Sequence, residues 1–376
     1  MIPGSGDTAL FGASGVTDIS VVSPSIPSPF SAPFLVGAED WSFSPVASNY
    51  NFGIGFKVTL EFDHGAITVS GGSAHLFNFG ELDFDFSSSG EASITNFNLL
   101  GFAGPGSTAG NSIIDTVGGA RTAFATLSTG GSAQFITEAG GVVDFSLTSG
   151  PGDDGRITAG SIAGAGTYKL GFNHLIVGSN GLSTTVSGPI DDGGAGSGSG
   201  GSLDKVGRGT LTLSGAGNTY SGGTKLEAGT LDVAAVGAAG TGAIGFAGKA
   251  TLKIENAALS GHVFATNIVF FAKHDVLDLT ELKFHHRAKA TYHKVTNLLT
   301  VHSGHVTDTL TLLPPHGTHF AVANDGHGGT MVTLAPLPAR AAVASLSPHD
   351  HDFGGQNGSS DVAASASHLS DFLFMG

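Results

Sequence analysis

Histidine is the residue type in this sequence whose chemistry and placement most invite metal binding. The chain has 16 histidines and no cysteine, and 13 of the histidines lie within residues 262–368. Two side chains that are two positions apart on a β-strand project from one face, where their imidazoles can share a zinc or nickel ion. The closely spaced histidine pairs are His285/His286, His302/His305, His316/His319 and His349/His351.

The spacing of these pairs argues against a metal centre. Only His349/His351 has the two-residue spacing of a strand face, whereas the three-residue spacing of His302/His305 suits a helix. No thiolate is present to complete a site of the kind that structural zinc uses. We therefore interpret the histidines as polar cover on exposed strands and loops, and we predict no metal ion and no cofactor.

Carboxylate pairs are the second group that could do chemistry. Asp83/Asp85 in the segment ELDFDF, or Asp153/Asp154, could form the two-carboxylate pair of a glycosidase. Asp83 and Asp85 alternate with phenylalanines, a pattern that predicts acids outward and aromatic rings inward on a strand. A groove with three or more clustered carboxylates would favour a carbohydrate-active protein.

The charge distribution and the missing motifs restrict the function. Residues 1–200 hold 17 acids and four bases, whereas polysaccharide lyases need cationic side chains to neutralise a carboxylate. No nucleophile elbow, His-Glu-x-x-His motif, P-loop or dinucleotide fingerprint precedes a helix. We therefore predict that the chain is not an enzyme. The net charge of −15 argues against a nucleic-acid partner. The sequence has no apolar run of 18 residues, so we predict no transmembrane segment.

The composition predicts the kind of element that must position these side chains. Glycine accounts for 60 of 376 residues without a three-residue period, while 40 % of the residues are hydrophobic and 26 are phenylalanines. Glycine turns and an abundant apolar core favour short strands joined by tight turns. The sequence therefore predicts an all-β protein.

Repeats define how the strands are arranged. Similar segments begin at Gly72, Gly90, Gly110 and Gly131, separated by 18, 20 and 21 residues. A unit of this size cannot bury its own apolar face, but units stacked about 4.8 Å apart share a continuous core. We predict a parallel β-helix, or β-solenoid, of about 20 residues per coil.

The same period recurs between residues 209 and 231, where Gly-Thr-Leu appears twice. Leu211 and Leu213 alternate with polar residues and are predicted to point inward, and Gly222 and Gly223 are expected to adopt positive φ in a polar turn. Tyr220 in this turn is expected to be easier to replace than either leucine.

The segment LDKVGRGTLTLSGAGNTYSGGTKLEAGTLDV resembles the autotransporter-associated β-strand repeat of passenger proteins from Gram-negative bacteria. The resemblance covers about thirty residues, and no membrane β-barrel follows it in the sequence. The residues that carry it are Lys205, Gly207, Gly209, Thr210, Leu211, Leu213, Asn218, Thr219, Tyr220, Gly222, Gly223, Thr224, Gly229, Thr230 and Leu231.

The resemblance implies a secreted or cell-surface protein with a structural or adhesive role, whose partner is a surface ligand such as a polysaccharide or a host or biofilm component. The alternative is a type I secreted carbohydrate-binding or carbohydrate-active β-helix, because the final Phe-Leu-Phe-Met resembles a type I secretion signal. The predicted organisation is an N-terminal extension or cap (1–49), β-helix repeats (50–256), a C-terminal β cap (257–334) and a low-complexity tail (335–376).

Overall fold

The structure, a computed structural model, consists of β-strands, turns and one short 3-10 helix in the part of the chain that it describes. Contacts between Cα atoms divide the chain into two units, Met1–Pro336 and Leu337–Gly376, and the described residues belong to the first. The predicted tail therefore lies outside the described residues, apart from Ala335. The described residues are 9–11, 18–21, 34–38, 40–43, 49–56, 58–70, 73–317 and 319–335.

The strands are numbered in chain order. The first seven are β1 (Ala9–Phe11), β2 (Asp18–Val21), β3 (Phe34–Ala38), β4 (Trp41–Phe43), β5 (Asn49–Ile54), β6 (Val58–Asp63) and β7 (Ile67–Val69). The next eight are β8 (Ser73–Asn78), β9 (Glu81–Asp85), β10 (Ser93–Asn96), β11 (Leu99–Ala103), β12 (Ile113–Thr116), β13 (Arg121–Thr126), β14 (Gln134–Thr137) and β15 (Val142–Thr148). Six short strands follow: β16 (Arg156–Ala159), β17 (Ser161–Gly164), β18 (Thr167–Lys169), β19 (His174–Val177), β20 (Thr184–Val186) and β21 (Ile190–Asp191).

The remaining strands include the segment that resembles the passenger repeat. They are β22 (Ser202–Lys205), β23 (Thr210–Leu213), β24 (Gly223–Leu226), β25 (Gly229–Val233), β26 (Ile244–Phe246), β27 (Ala250–Ile254), β28 (Val263–Val269) and β29 (Val276–Leu279). The 3-10 helix Asn256–Ala258 lies between β27 and β28. The last five strands are β30 (Lys289–His293), β31 (Leu298–Ser303), β32 (Val306–Leu313), β33 (Phe320–Asn324) and β34 (Thr330–Leu334).

Three long sheets run along the protein. Sheet I has fourteen strands in the order β2-β5-β8-β10-β12-β14-β17-β20-β23-β25-β27-β29-β34-β33. Sheet II has eight strands, β3-β6-β9-β11-β13-β15-β18-β21, and sheet III has nine, β16-β19-β22-β24-β26-β28-β32-β31-β30. Most neighbours in each sheet are not consecutive in the chain, because the backbone returns to the same sheet once per coil. The exceptions are β33 with β34, and β30 to β32, at the C-terminal end.

The register of sheet I confirms the predicted β-solenoid. Ile94 aligns with Ile114, and Leu211 aligns with Leu231, in parallel pairs of strands one coil apart. The coil length varies around the predicted value, with about ten turns of about 22 residues each. The Gly-Thr-Leu phrase therefore recurs because the chain has gone once around the solenoid.

Parallel stacking extends beyond the predicted repeat boundaries. Within the predicted N-terminal extension, β2 and β3 already pair with β5 and β6. Within the predicted C-terminal cap, β29 still pairs in parallel with β27. Antiparallel pairing begins only afterwards, where β34 lies against β29 and where β30, β31 and β32 form a meander.

The coils are of two kinds, joined by a transition. In the N-terminal coils (49–148), each coil supplies one strand to sheet I and one to sheet II. In the C-terminal coils (202–279), each coil instead supplies one strand to sheet III and one to sheet I. The transition coils (156–191) supply a strand to all three sheets.

The N-terminal coils are packed around aromatic rings and a polar ladder. Along sheet II, buried phenylalanine rings stack at centroid distances of 4.8 to 5.0 Å, close to the spacing of strands in a sheet. Beside them, the fully buried Asn78 donates to Asn96 Oδ1 at 3.0 Å, and Asn96 donates to the Arg121 carbonyl at 2.9 Å. The stacked rings are Phe62, Phe84, Phe102, Phe124 and Phe145.

Candidate functional site

Lys205 is the charged residue among the motif positions of the repeat, and it is buried. Only 1 % of its surface is exposed, and its Nζ donates to the carbonyl oxygens of Val206, Gly207 and Ala228 at 2.8, 3.1 and 3.1 Å. Burial lowers the pKa of Lys205 to about 8, so the side chain remains an ammonium group at neutral pH. Because an ammonium group has three donors, these carbonyls satisfy it fully and join one coil to the next.

The glycines of the repeat allow close contact between coils. Gly207 has a φ of 68°, and a Cβ there would collide with the carbonyl oxygen of Gly178 in the preceding coil. Gly223 has a φ of 85°, as expected, and it lies against Ala243. Gly222 does not share the positive φ that we expected for it, but a Cβ there would collide with Gly200 O. Gly209 and Gly229 meet neighbouring carbonyl oxygens in the same way.

Asn218 and Tyr220 hold the turn that the sequence analysis described as polar. Asn218 accepts a hydrogen bond from Ile190 N at 2.8 Å and donates to Ala238 O at 2.5 Å, thereby linking three coils. Tyr220 is fully buried, and its hydroxyl lies 2.7 Å from the hydroxyl of Thr224. Burial of the Tyr220 ring bears on the expectation that Tyr220 is easier to replace than the leucines, which stays a prediction.

The strands of the repeat have the predicted faces. Leu211 and Leu213 are 3 % and 0 % exposed, and Leu231 packs in register beneath Leu211. Thr210 and Thr230 pair on the outer face of sheet I. Thr219 is the exception in the turn, since its hydroxyl donates to Asp191 at the surface. The repeat residues therefore serve contacts between coils.

A glycine-rich loop lies between the transition coils and the C-terminal coils. The amide of Ala195 donates to Asp144 Oδ2 at 3.0 Å, and Arg121 Nη2 donates to the same oxygen at 2.8 Å. Burial favours the neutral form of Asp144, but hydrogen bonds from Ser146 and Ala195 and the charge of Arg121 together lower its pKa. This loop was not singled out from the sequence, because its anchor lies about fifty positions away.

The carboxylates of β9 are joined by those of β6 on the outer face of sheet II. Glu61 aligns with Asp83, and Asp63 aligns with Asp85, while Phe84 is fully buried as predicted. Burial raises the pKa of Asp83 to about 7, and the neighbouring acids Glu81, Asp85 and Glu61 add to this shift. The sequence analysis missed Glu61 and Asp63. Each lies 22 residues, or about one coil, before the aspartate with which it aligns.

Several of the C-terminal histidines contact separate partners. His302 Nδ1 lies 2.8 Å from the hydroxyl of Thr307, and His262 Nδ1 lies 2.8 Å from Asp308. The ring of His285 packs over Gly304. Among the described residues, no group of three or more histidine or acidic side chains has the proximity that a metal ion requires. His349/His351, the pair with strand spacing, lies outside the described residues.

This geometry defines a class of protein, a parallel β-solenoid whose repeat residues fix the contact between neighbouring coils. Residues 203–233 match the family model described as the passenger-associated-transport-repeat. Together, this match and the solenoid fit an autotransporter passenger-type repeat protein. No curated protein and no solved structure shows significant similarity to the chain. In the described part of the chain, no helix is long and apolar enough to span a membrane.

Proposed function

We propose that the chain acts outside the cell, secreted or at the cell surface, as a structural and adhesive passenger without catalytic activity. The observation that carries this proposal is the passenger-associated-transport-repeat at residues 203–233 within a β-solenoid. The buried Lys205, Asn218 and Tyr220 support it, because these residues bind other coils rather than a reactant.

Export and adhesion can be tested in the bacterium that makes the protein. An epitope tag inserted in the exposed Val295 turn would be probed on intact cells and in the culture medium. Deleting the gene is expected to reduce attachment of the cells to surfaces, and supplying it again is expected to restore attachment. A tag found only after lysis would contradict the proposed location, and unchanged attachment would contradict adhesion.

A carbohydrate-active protein is the second candidate, favoured by the carboxylates on sheet II. A carboxyl that holds its proton near pH 7, such as Asp83, can serve as a general acid beside an ionised neighbour. The purified chain would be incubated with neutral and acidic polysaccharides while newly formed reducing ends are measured. Reducing ends that form with the wild-type chain but not with Asp83→Asn would favour this second function. If no reducing ends form, the result agrees with the passenger proposal.

A further inference from the structure

The C-terminal coils carry a groove on the outer face of sheet III that the repeat residues do not explain. Two depressions of about 330 and 460 Å³ form it. Both are lined by Phe246, Ala247 and Phe270, so that they join into one surface, here called the sheet III groove. Its lining includes residues of β24, β26 and β28, so that it suits a chain-like ligand lying across neighbouring coils.

Phe270 presents an aromatic ring to solvent in this groove. It is 61 % exposed, whereas the adjacent Phe271 is fully buried. Phe270 has a φ of 61°, a conformation that is unusual for a bulky side chain and that persists only where the surroundings impose it. The ring lies beside Gly245, where an added Cβ would be 3.5 Å from Phe270 Cδ2. One side of the ring is thus supported, and the residue offers an apolar platform.

Two lysines without ion-pair partners stand beside this platform. Lys249 and Lys273 are exposed and line the larger depression together with His274. Lys225 and Lys253 have ion pairs with acids, but none of the ion pairs among the described residues includes Lys249 or Lys273. These two ammonium groups are therefore available to an anionic ligand in a chain whose net charge is −15.

The nearest acid in the groove does not neutralise these lysines by direct contact. Asp275 is 3 % exposed, and its Oδ2 accepts a hydrogen bond from the amide of Ala272 at 2.8 Å. The carboxylate is thereby committed to the backbone of the turn, while the lysine side chains extend into solvent. The groove consequently combines a supported aromatic ring with positive charge.

The lysines also follow the repeat of the solenoid. Lys249 precedes β27 and Lys273 precedes β29, and these strands pair directly in sheet I. Successive coils lie about 4.8 Å apart, a rise comparable to the length of one pyranose ring along a polysaccharide. A polymer of acidic sugars can therefore place charged groups at successive coils while one sugar face packs on Phe270.

We propose that the sheet III groove binds an acidic polysaccharide, with a sugar ring on Phe270 and with carboxylate or sulfate groups at Lys249 and Lys273. This inference rests on the proposed adhesive function and specifies the chemistry of its ligand. An anionic membrane fits less well as a ligand. An extended negatively charged surface would also come near the acidic face of sheet II and repel it.

Titration calorimetry on the full chain tests the proposal with three defined probes. Hexagalacturonate carries carboxylates, dextran sulfate carries sulfates, and dextran is the neutral counterpart. We expect an acidic probe to bind and dextran not to bind, with affinity falling as salt is added. The tighter of the two acidic probes identifies carboxylate or sulfate as the recognised group.

Matched variants assign the binding to the groove. Lys249→Ala/Lys273→Ala and Phe270→Ala are each expected to weaken binding about tenfold or more. Lys289→Ala/Lys294→Ala removes the same charge from exposed positions around β30 and is expected to change binding by less than about twofold. All four lysines and Phe270 are exposed, so thermal melts should confirm that every variant folds.

Several outcomes would overturn the proposal. These are the absence of binding to both acidic probes, an equal loss in the two lysine variants, and phosphatidylserine vesicles binding as tightly as the glycans. The experiment distinguishes a wrong assignment of the groove from a wrong adhesive function. If cells displaying the groove variants attach as well as wild-type cells, adhesion stands and the groove assignment is wrong.

Discussion

The N-terminal coils and the C-terminal coils share one sheet but have different interiors. The former contain the stack of buried phenylalanines and the ladder that begins at Asn78 and Asn96. The latter contain aligned aliphatic residues such as Leu211 and Leu231, together with the buried Lys205. Sheet I runs through both regions. It therefore maintains the spacing of the coils, while the other strands of the coil differ between the two regions.

The difference follows from which second sheet accompanies sheet I. A stack of rings requires an equivalent strand in every coil, and sheet II supplies one only as far as β21. Beyond that strand, Asn218 and Tyr220 occupy a turn that holds the coils by hydrogen bonds and ring packing. The passenger-type repeat therefore corresponds to one of two ways of closing the same solenoid.

The outer faces of the two regions also differ in charge. Five carboxylates crowd the outside of β6 and β9 in the N-terminal coils, and burial with mutual repulsion raises the pKa of Glu61, Asp83 and Asp85. The sheet III groove of the C-terminal coils contains Lys249 and Lys273, which take part in none of the ion pairs among the described residues. Binding of acidic ligands is consequently expected only in the C-terminal region.

The largest expected effect tests the face assignment that both regions share. Replacing Leu213 with Asp would bury a charge without a partner between coils and should destabilise the protein by about 5 kcal/mol. Thr210→Asp, on the outer face of the same strand, is the control and should have a much smaller effect. Chemical denaturation of both variants measures the difference, and equal tolerance would contradict the inward face of β23.

The stability of the N-terminal coils should depend strongly on one ring of the aromatic stack. Phe102 lies in the middle of the stack and is 1 % exposed, so Phe102→Ala should cost about 4 kcal/mol by leaving a cavity between two rings. Phe97 stacks on Phe79 at the surface, 40 % exposed, and Phe97→Ala is the matched control. A similar loss of stability in both variants would show that the inner stack has no special role.

The buried Lys205 should stabilise the C-terminal coils by less than Phe102 stabilises the N-terminal coils. Lys205→Met fills much of the same space but leaves three backbone carbonyls without their donor, at a cost of about 2 kcal/mol. Hydrogen exchange should show the loss of protection in the amides around β22 and β24, while the amides of β9 and β11 keep theirs. Uniform loss along the chain would mean that the two regions unfold as one unit.

The smallest expected effect concerns the acids of sheet II and depends on pH. The pKa of Asp83 is about 7 in the folded protein and about 3.9 in an unfolded chain, so ionising this group costs stability. Asp83→Asn should therefore raise Tm slightly above pH 7, and the gain should fade as the pH falls towards about 4. Asp153→Asn, in the exposed turn before β16, is the control. A gain that grows on acidification would contradict the raised pKa.

Local sequence was sufficient for the period and for the faces of the strands. Alternation of apolar and polar residues depends on the geometry of a single strand, and it correctly placed Leu211 and Leu213 inside and Asp83 and Asp85 outside. The returning Gly-Thr-Leu phrase likewise predicted the parallel register of β23 and β25. These features follow from neighbours along the chain, so that the amino-acid sequence alone determined them.

Only the tertiary structure decided which side chains meet across coils. The exchange of sheet II for sheet III, the burial of Tyr220, and the approach of Glu61 to Asp83 all involve positions separated by a full coil or more. Coil lengths vary, so sequence spacing alone does not fix which residues become neighbours. The sheet III groove arises in the same way, since Phe270 lies against Gly245 only because two coils of unequal composition are stacked in register.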